Sequence, residues 1–394
     1  MNKGILADAS MLRGEPPLEY LRKANKLEAQ GRDIVRFEIG QPDFDTPENI
    51  KDAAIKALKN GFTHYVPTDG IPELKEAIRD DIENTRGFRP DDNQILVLPG
   101  AKPGLYFSML ALVNQGDEII YPDPGFFTYE SQVGYAGCRK NPLPLYEDNQ
   151  FGIDPEDINE RINEKTKMMI LNSPQNPTGG VLREKDIRAI AEMAQENDIY
   201  VLSDEIYSKM LYDGLEHHSP AYIDGCKERT IIVDGFSKAY AMTGWRLGYM
   251  IAPAEVIKEI ELLVADALSC TNSFSQWGAV EALKNGETFV DMIMTEFDQR
   301  RKLVVEGLNK IPGMSCIYPT GAFYAFPNIK ETGMKSKELA DHLLDEAGVC
   351  LLPGSSFGCQ GEGHLRISYA CSQAEIKKGL ARIQTAMEKL VQRS

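Results

Sequence analysis

Between Ile95 and Ile251 the chain repeats one pattern: a short apolar run, a turn marked by Gly or Pro, then an amphipathic stretch of helical spacing. The runs Ile95–Leu98, Glu118–Tyr121, Lys167–Leu171, Ile199–Leu202, Thr230–Val233 and Leu247–Ile251 read as strands, and Gly104–Val113, Phe127–Ala136 and Lys185–Glu196 as helices. Several of these strands are hydrophobic almost throughout, which requires cover on both faces and so implies helices above and below a mostly parallel sheet. An α/β architecture follows. Ligands of such sheets collect at the carboxyl ends of the strands.

The flanking segments read differently. A helix ends at Asn60–Gly61 and another opens near Pro72 with Glu73 in its first turn. The last hundred residues suggest a charged amphipathic helix from about Gly286 to Lys310, a strand from Gly321 to Phe326, a helix near Ser336 to Ala347, the strand-like "GEGHLRISYA" and a closing helix. That succession describes a smaller α+β unit. A length of 394 residues suits two such domains.

Composition removes several function classes. With 42% hydrophobic and 26% charged residues and no apolar run of bilayer length, the chain is not expected to span a membrane. Its net charge of −16 opposes binding to nucleic acid or anionic lipid, both of which need clustered cations. Seven scattered cysteines without a Cys-x-x-Cys pair suit reduced thiols better than disulfides or a metal site. The opening "MNKGILADASMLRGEPP" has no apolar core of a secretory signal, so the expected location is cytoplasmic.

Chemistry gathers where the strands end. "ILVLPGAKPGLYFSML" breaks into a Gly-Ala-Lys-Pro-Gly turn that opens a helix, a cradle for an anion because free amides and the helix dipole face it. "KMMILNSPQNPTGG" carries Asn176 in its turn, and "IYVLSDEIYSKM" ends its apolar run at Asp204 with Tyr207 three residues on. "IIVDGFSKAYAMTGWR" supplies Ser237, Lys238 and Arg246. A lysine this close to a buried strand is unusual unless its amine is held or used. Taken singly, each is as readily a turn, a cap or a surface pair. Together they can hold a phosphate and an aromatic aldehyde with a ring nitrogen, the chemistry of pyridoxal 5′-phosphate.

The chain resembles the class I/II aminotransferases of the fold-type-I pyridoxal-phosphate superfamily, and within them the aspartate-aminotransferase-like branch. The resemblance runs from "GQPDFDTPENI" through "HYVPTDGIPELKEAI", "NSPQNPTGGV", "SDEIY", "SKAYAMTGWRLGY" and "GAFY" to "HLRISYA". It implies a large domain with a mostly parallel seven-stranded sheet over residues 45–285, and a smaller, discontinuous α+β domain made of 1–44 and 286–394. It also implies a homodimer with its sites at the subunit interface, and a ping-pong cycle between an L-amino acid and a 2-oxo acid.

By this resemblance Lys238 forms the Schiff base and then moves the proton, for which its amine must titrate well below 10.4. Asp204 pairs with the ring nitrogen, and Tyr207 and Asn176 with the ring oxygen. Ser237, Arg246 and the amides of Ala101 and Lys102 bind the phosphate, and Tyr65 reaches it from the other subunit. Phe126 stacks on the ring, with Phe127 as the competing choice. Arg366 alternates with the apolar Leu365, Ile367 and Tyr369, and its planar fork suits an α-carboxylate, aided by Asn176 and the backbone of Gly40. Lys102 marks a position where relatives of this branch contact a second substrate carboxylate. Against that, Pro103 and Gly104 stand where helix formers are expected, and "EPPLEYLRK" departs from the branch pattern. Aspartate or glutamate and a broader amino acid thus both stay open.

Other outcomes share the same first steps. A lyase, decarboxylase or oxidase on this scaffold would use the same residues, and a non-catalytic module of a transcription regulator would keep the fold. Lys238 and the absence of a preceding DNA-binding region oppose the last. A Rossmann dehydrogenase is disfavoured because "GAKPG" lacks the spaced glycines. The N-terminal segment, beside "GQPDF", is a candidate lid.

Overall fold

The computed structural model describes residues 16–391. Helix α1 (Pro16–Ala29) leads into the short strand β1 (Val35–Arg36), and α2 (Glu48–Lys59) and α3 (Pro72–Arg86) follow. Both α2 and α3 lie where the turn residues place them. A seven-stranded sheet comes next: β2 (Ile95–Leu98), β3 (Glu118–Asp123), β4 (Arg139–Pro144), β5 (Thr166–Asn172), β6 (Tyr200–Asp204), β7 (Thr230–Gly235) and β8 (Gly248–Ile251), in the order β2-β8-β7-β6-β5-β3-β4. Only β8 runs against its neighbours.

The hydrophobic runs work as expected from the period of two. Ile95 and Val97 of β2 enter one core and Leu96 and Leu98 another, while Ile232 of β7 joins the first and Ile231 and Val233 the second. Each face is covered by helices. α4 (Ala101–Leu112), α5 (Thr128–Tyr135) and α8 (Ala254–Leu268) cover one, with Val256, Ile257, Ile260 and Val264 forming the inward stripe of α8. On the other side α7 (Glu184–Glu196) buries Ile187, Ile190, Ala191 and Ala194. The short α6 (Pro155–Asn159) packs beside it.

Two expectations for the large sheet and its first covering helix change. No strand is legible in "RKNPLP", yet it forms β4, because an edge strand tolerates prolines and charges that a central strand would not. Helix α4 starts at Ala101 rather than Gly104, since its first-turn amides have no intrahelical partner and Pro103 therefore forfeits nothing. Gly104 is accommodated because a Cβ there would meet Leu98 at 3.0 Å and Val233 at 3.3 Å.

Downstream, α9 (Ser273–Asn285) packs on α2 and α3, and α10 (Glu287–Leu308) on the closing helix α12 (Gln373–Val391). The strand anticipated over Gly321–Phe326 shrinks to β9 (Tyr324–Ala325). After α11 (Ser336–His342) come β10 (Val349–Cys350), β11 (Leu352–Pro353) and β12 (Leu365–Ser368). β10 pairs with β1, which ties the N-terminal strand to this C-terminal unit, and β12 lies between β11 and β9. All seven cysteines are free thiols. Among the described residues no helix is long and apolar enough to cross a membrane.

Candidate active site

One cavity of about 410 Å³ collects the strand ends. Gly40, Ala101, Lys102, Phe126, Asn176, Asp204, Tyr207, Ser237, Lys238, Arg246 and Arg366 all line it. Tyr65 does not: its side chain is 88% exposed, away from this chain's own cavity. A larger depression of about 760 Å³ beside Arg86 and His217 contains none of these residues.

Strand register sets the centre. Asn172 and Asp204 sit opposite one another at the ends of β5 and β6, and the Asn172 amide donates to the Asp204 carbonyl at 3.0 Å. Asn172 Oδ1 accepts from the backbone of Asn176 at 3.0 Å, which fixes the next turn. The Asp204 carboxylate accepts from the phenol of Tyr129 at 2.7 Å. Burial pushes this carboxyl up to about 6, with the Tyr129 hydrogen bond opposing the rise.

Lys238 follows β7 and donates to the carbonyl of Gly40 at 2.6 Å. Burial, then the charges of Arg366 and Arg246, lower its amine to about 8, while Asp204 opposes the fall. Arg366 is 1% exposed rather than a surface residue, since both faces of β12 are buried. Its guanidinium donates to Asn176 Oδ1 at 3.3 Å and to the Glu38 carbonyl, and its Nε has no partner. Among the described residues no carboxylate comes within ion-pair distance of Lys238, Arg246 or Arg366. The Glu38 carboxylate is taken by Arg36 at 2.6 Å. In a chain of net charge −16, the cavity is lined, among the described residues, by four cations and one carboxylate, Asp204. It attracts anions.

Gly100 caps α4 at φ 95° with no side-chain cap, so the first amides of the helix are unspent. A Cβ on Gly100 would fall 2.4 Å from the Arg246 guanidinium. A side chain there would crowd that cation, and the left-handed backbone itself favours glycine. Ser237 lines the same cavity. This donor set fits a phosphate, and a half-buried amine lowered to about 8 beside a buried carboxylate fits an aldehyde-bearing pyridine.

The sequence profile of the family described as aminotransferase class I and II matches residues 32–383. The chain belongs to that family. This aminotransferase is 41% identical over 370 residues to an aspartate aminotransferase of Pyrococcus abyssi, covering 93% of this chain and 95% of the relative. It superposes on the structure of the Thermus thermophilus aspartate aminotransferase with maleate at a TM-score of 0.93 and 36% identity, over 97% of this chain and 99% of that one. An aromatic aminotransferase from Pyrococcus horikoshii matches at 0.89 and 39%, over 93% and 99%. The fold is thus fold type I, the cofactor of this aminotransferase is pyridoxal 5′-phosphate, and its substrates are amino acids and 2-oxo acids.

Three residues of the aminotransferase's cavity are given no role by the sequence: Tyr129 falls within the Phe127–Ala136 helix, Tyr324 within the "GAFY" strand, and Asn172 directly after the Lys167–Leu171 strand. Pro17, Leu18 and Leu21 of α1, with Ile39, add an apolar wall. Residues 1–15, part of the candidate lid, lie outside the described residues. Phe126 is half-buried and Phe127 buried, their ring centroids 4.6 Å apart, and the Lys102 amine lies 5.4 Å from the Phe126 ring.

Proposed function

We propose that this cavity performs transamination with Lys238 as the proton-transferring base, Asp204 and Tyr207 as its catalytic partners, and Arg366 as the substrate carboxylate site. What carries this reading is a buried guanidinium in the same cavity as a half-buried lysine, neither paired with a carboxylate among the described residues. Leaving such charges unpaired is costly unless an anionic ligand completes them. The phosphate falls to Ser237, Arg246 and the amides of Ala101 and Lys102.

When bound, the cofactor supplies the electron sink that makes the substrate Cα–H acidic. The chain's residues do the rest. Asp204 keeps a proton on the ring nitrogen through its charge, Tyr129 holds that carboxylate in place, and Asn172 holds the Asp204 backbone. Arg366 and Asn176 grip the α-carboxylate, so the Cα proton is presented to the Lys238 amine. An amine near 8 is partly unprotonated at neutral pH and can take and return that proton. Phe126 covers the ring, and Tyr207 donates to its oxygen.

Lys102 supports aspartate or glutamate as the donor, in keeping with the aspartate aminotransferases among the relatives. The apolar wall of Pro17, Leu18, Leu21 and Ile39 favours a second reading, a donor with an aromatic or aliphatic side chain. A homodimer is proposed because Ile55, Leu58, Phe62 and Tyr65 expose an apolar strip of 39–88% relative accessibility, from which Tyr65 would reach a second copy's phosphate site. Two domains divided at residues 44/45 and 285/286, and a cytoplasmic location, complete the proposal.

The test is the absorbance of the bound cofactor on adding L-aspartate, L-glutamate, L-alanine or L-phenylalanine singly, with Lys238→Ala alongside. Bleaching by one donor and recovery with 2-oxoglutarate is the expected result, and the donor that bleaches separates the two readings. Release of ammonia or carbon dioxide without recovery would instead indicate a lyase or decarboxylase.

A further inference from the structure

Tyr207 and Tyr324 place their hydroxyl oxygens 2.7 Å apart, joined by one hydrogen bond although they are 117 residues apart in sequence. Both side chains are buried, at 3% and 1% exposure. The Tyr324 hydroxyl has no other hydrogen-bond partner among the described residues. Its ring face lies 4.7 Å from the Arg366 guanidinium, and a Cβ on Gly40 would fall 2.2 Å from its oxygen. The phenol is thus wedged between the carbonyl-bearing Gly40 and Arg366, and cannot swing away from Tyr207.

Each phenol carries one proton and two lone pairs. If Tyr207 gives its proton to the cofactor's ring oxygen, as the proposed function holds, its own oxygen is left to accept, and among the described residues the neighbour positioned to donate is Tyr324. We propose that Tyr324 is a positioning residue that fixes the direction of the Tyr207 hydrogen bond, forming a donor chain from Tyr324 through Tyr207 to the ring oxygen. Such a chain polarises each successive donor and so stabilises the oxygen as an anion. The inference rests on the assignment of Tyr207 and goes beyond it. The charged groups facing the pair are Arg366 of β12, Lys238 after β7 and Asp204 at the end of β6.

The experiment is a pH titration of the absorbance of the bound cofactor in the holoenzyme, comparing wild type with Tyr324→Phe and Tyr207→Phe. Without the Tyr324 proton to polarise it, the hydrogen bond from Tyr207 to the anionic oxygen weakens, which should raise the apparent pKa in Tyr324→Phe by roughly 0.5–1 unit, and Tyr207→Phe, which removes the direct donor, should raise it further. Because phenylalanine keeps the ring against Arg366, affinity for a simple carboxylate such as maleate should stay within about twofold, which separates loss of the hydroxyl from collapse of the site. A Tyr324→Phe titration equal to wild type, with Tyr207→Phe shifted, overturns the donor chain and leaves the proposed function standing. If neither variant shifts, the assignment of Tyr207 itself fails, and the donor chain with it.

Discussion

The Lys238 amine donates to the Gly40 carbonyl at 2.6 Å across 198 residues of sequence, and Gly40 in turn touches the wall formed by Tyr324. The loop after β1 thereby closes on the reactive amine. Gly40→Ala drives a methyl group into the buried Tyr324 hydroxyl and shifts this loop. Steady-state kinetics should register a loss on the order of 100-fold in kcat/KM, with the fold intact by circular dichroism. Unchanged kinetics would mean that the loop does not position Lys238.

Lys238 titrates near 8 because burial and the Arg366 and Arg246 charges disfavour its protonated form. Below that pH the amine is protonated and unreactive; above it the reaction levels off. Reductive trapping of added cofactor at Lys238 in cofactor-free protein should therefore rise to a plateau above about pH 8, followed by peptide mass spectrometry. A rate still climbing toward pH 10 would show an ordinary, unperturbed lysine.

Burial holds the Asp204 carboxyl at about 6 against 3.8 unfolded. The folded state therefore binds this proton more tightly, so stability falls as pH rises through that window. Asp204→Asn should stabilise cofactor-free protein at neutral pH by on the order of 2 kcal/mol, a gain that vanishes below about pH 4, while transamination is lost. Thermal unfolding at the two pH values measures it, and equal melting temperatures for both proteins at pH 7 would refute it.

Arg366→Lys keeps the charge and removes the planar fork. Two charge-assisted hydrogen bonds to the substrate carboxylate become one, for which kcat/KM should fall roughly 10–150-fold. Comparing an amino acid with its amine analogue, which lacks the carboxylate, checks the origin: the analogue should be affected little.

Behind the sheet ends, Arg86 is sealed between Glu205 at 3.0 Å and Asp234 at 2.6 Å, with all three side chains at most 6% exposed. Burial opposes the ionisation of Glu205, yet His217, Arg86 and Ser219 outweigh it and hold the carboxyl down to about 2. Arg86→Met leaves the buried Asp234 carboxylate without its cation and Glu205 with His217 alone, and should destabilise the fold by about 3–5 kcal/mol in urea unfolding. A loss below about 1 kcal/mol would show that water or His217 takes over its role.

The sequence by itself determined the α/β alternation, the covered sheet, and which strand ends carry polar groups. Apolar periodicity and turn residues are local properties, readable within a few positions. Local pattern also marked Asp204, where an apolar run ends, and Asn176, Lys238 and Arg246, in the turns and segments that follow such runs. Tertiary structure alone decided the rest. "RKNPLP" becomes a strand only because it lies at a sheet edge, and Arg366 becomes buried only because β11 and β9 flank it. Tyr129 meets Asp204 across 75 residues and Tyr324 meets Tyr207 across 117. A phenol's ring is indistinguishable from core in sequence; what its hydroxyl bonds to depends on segments brought together by folding.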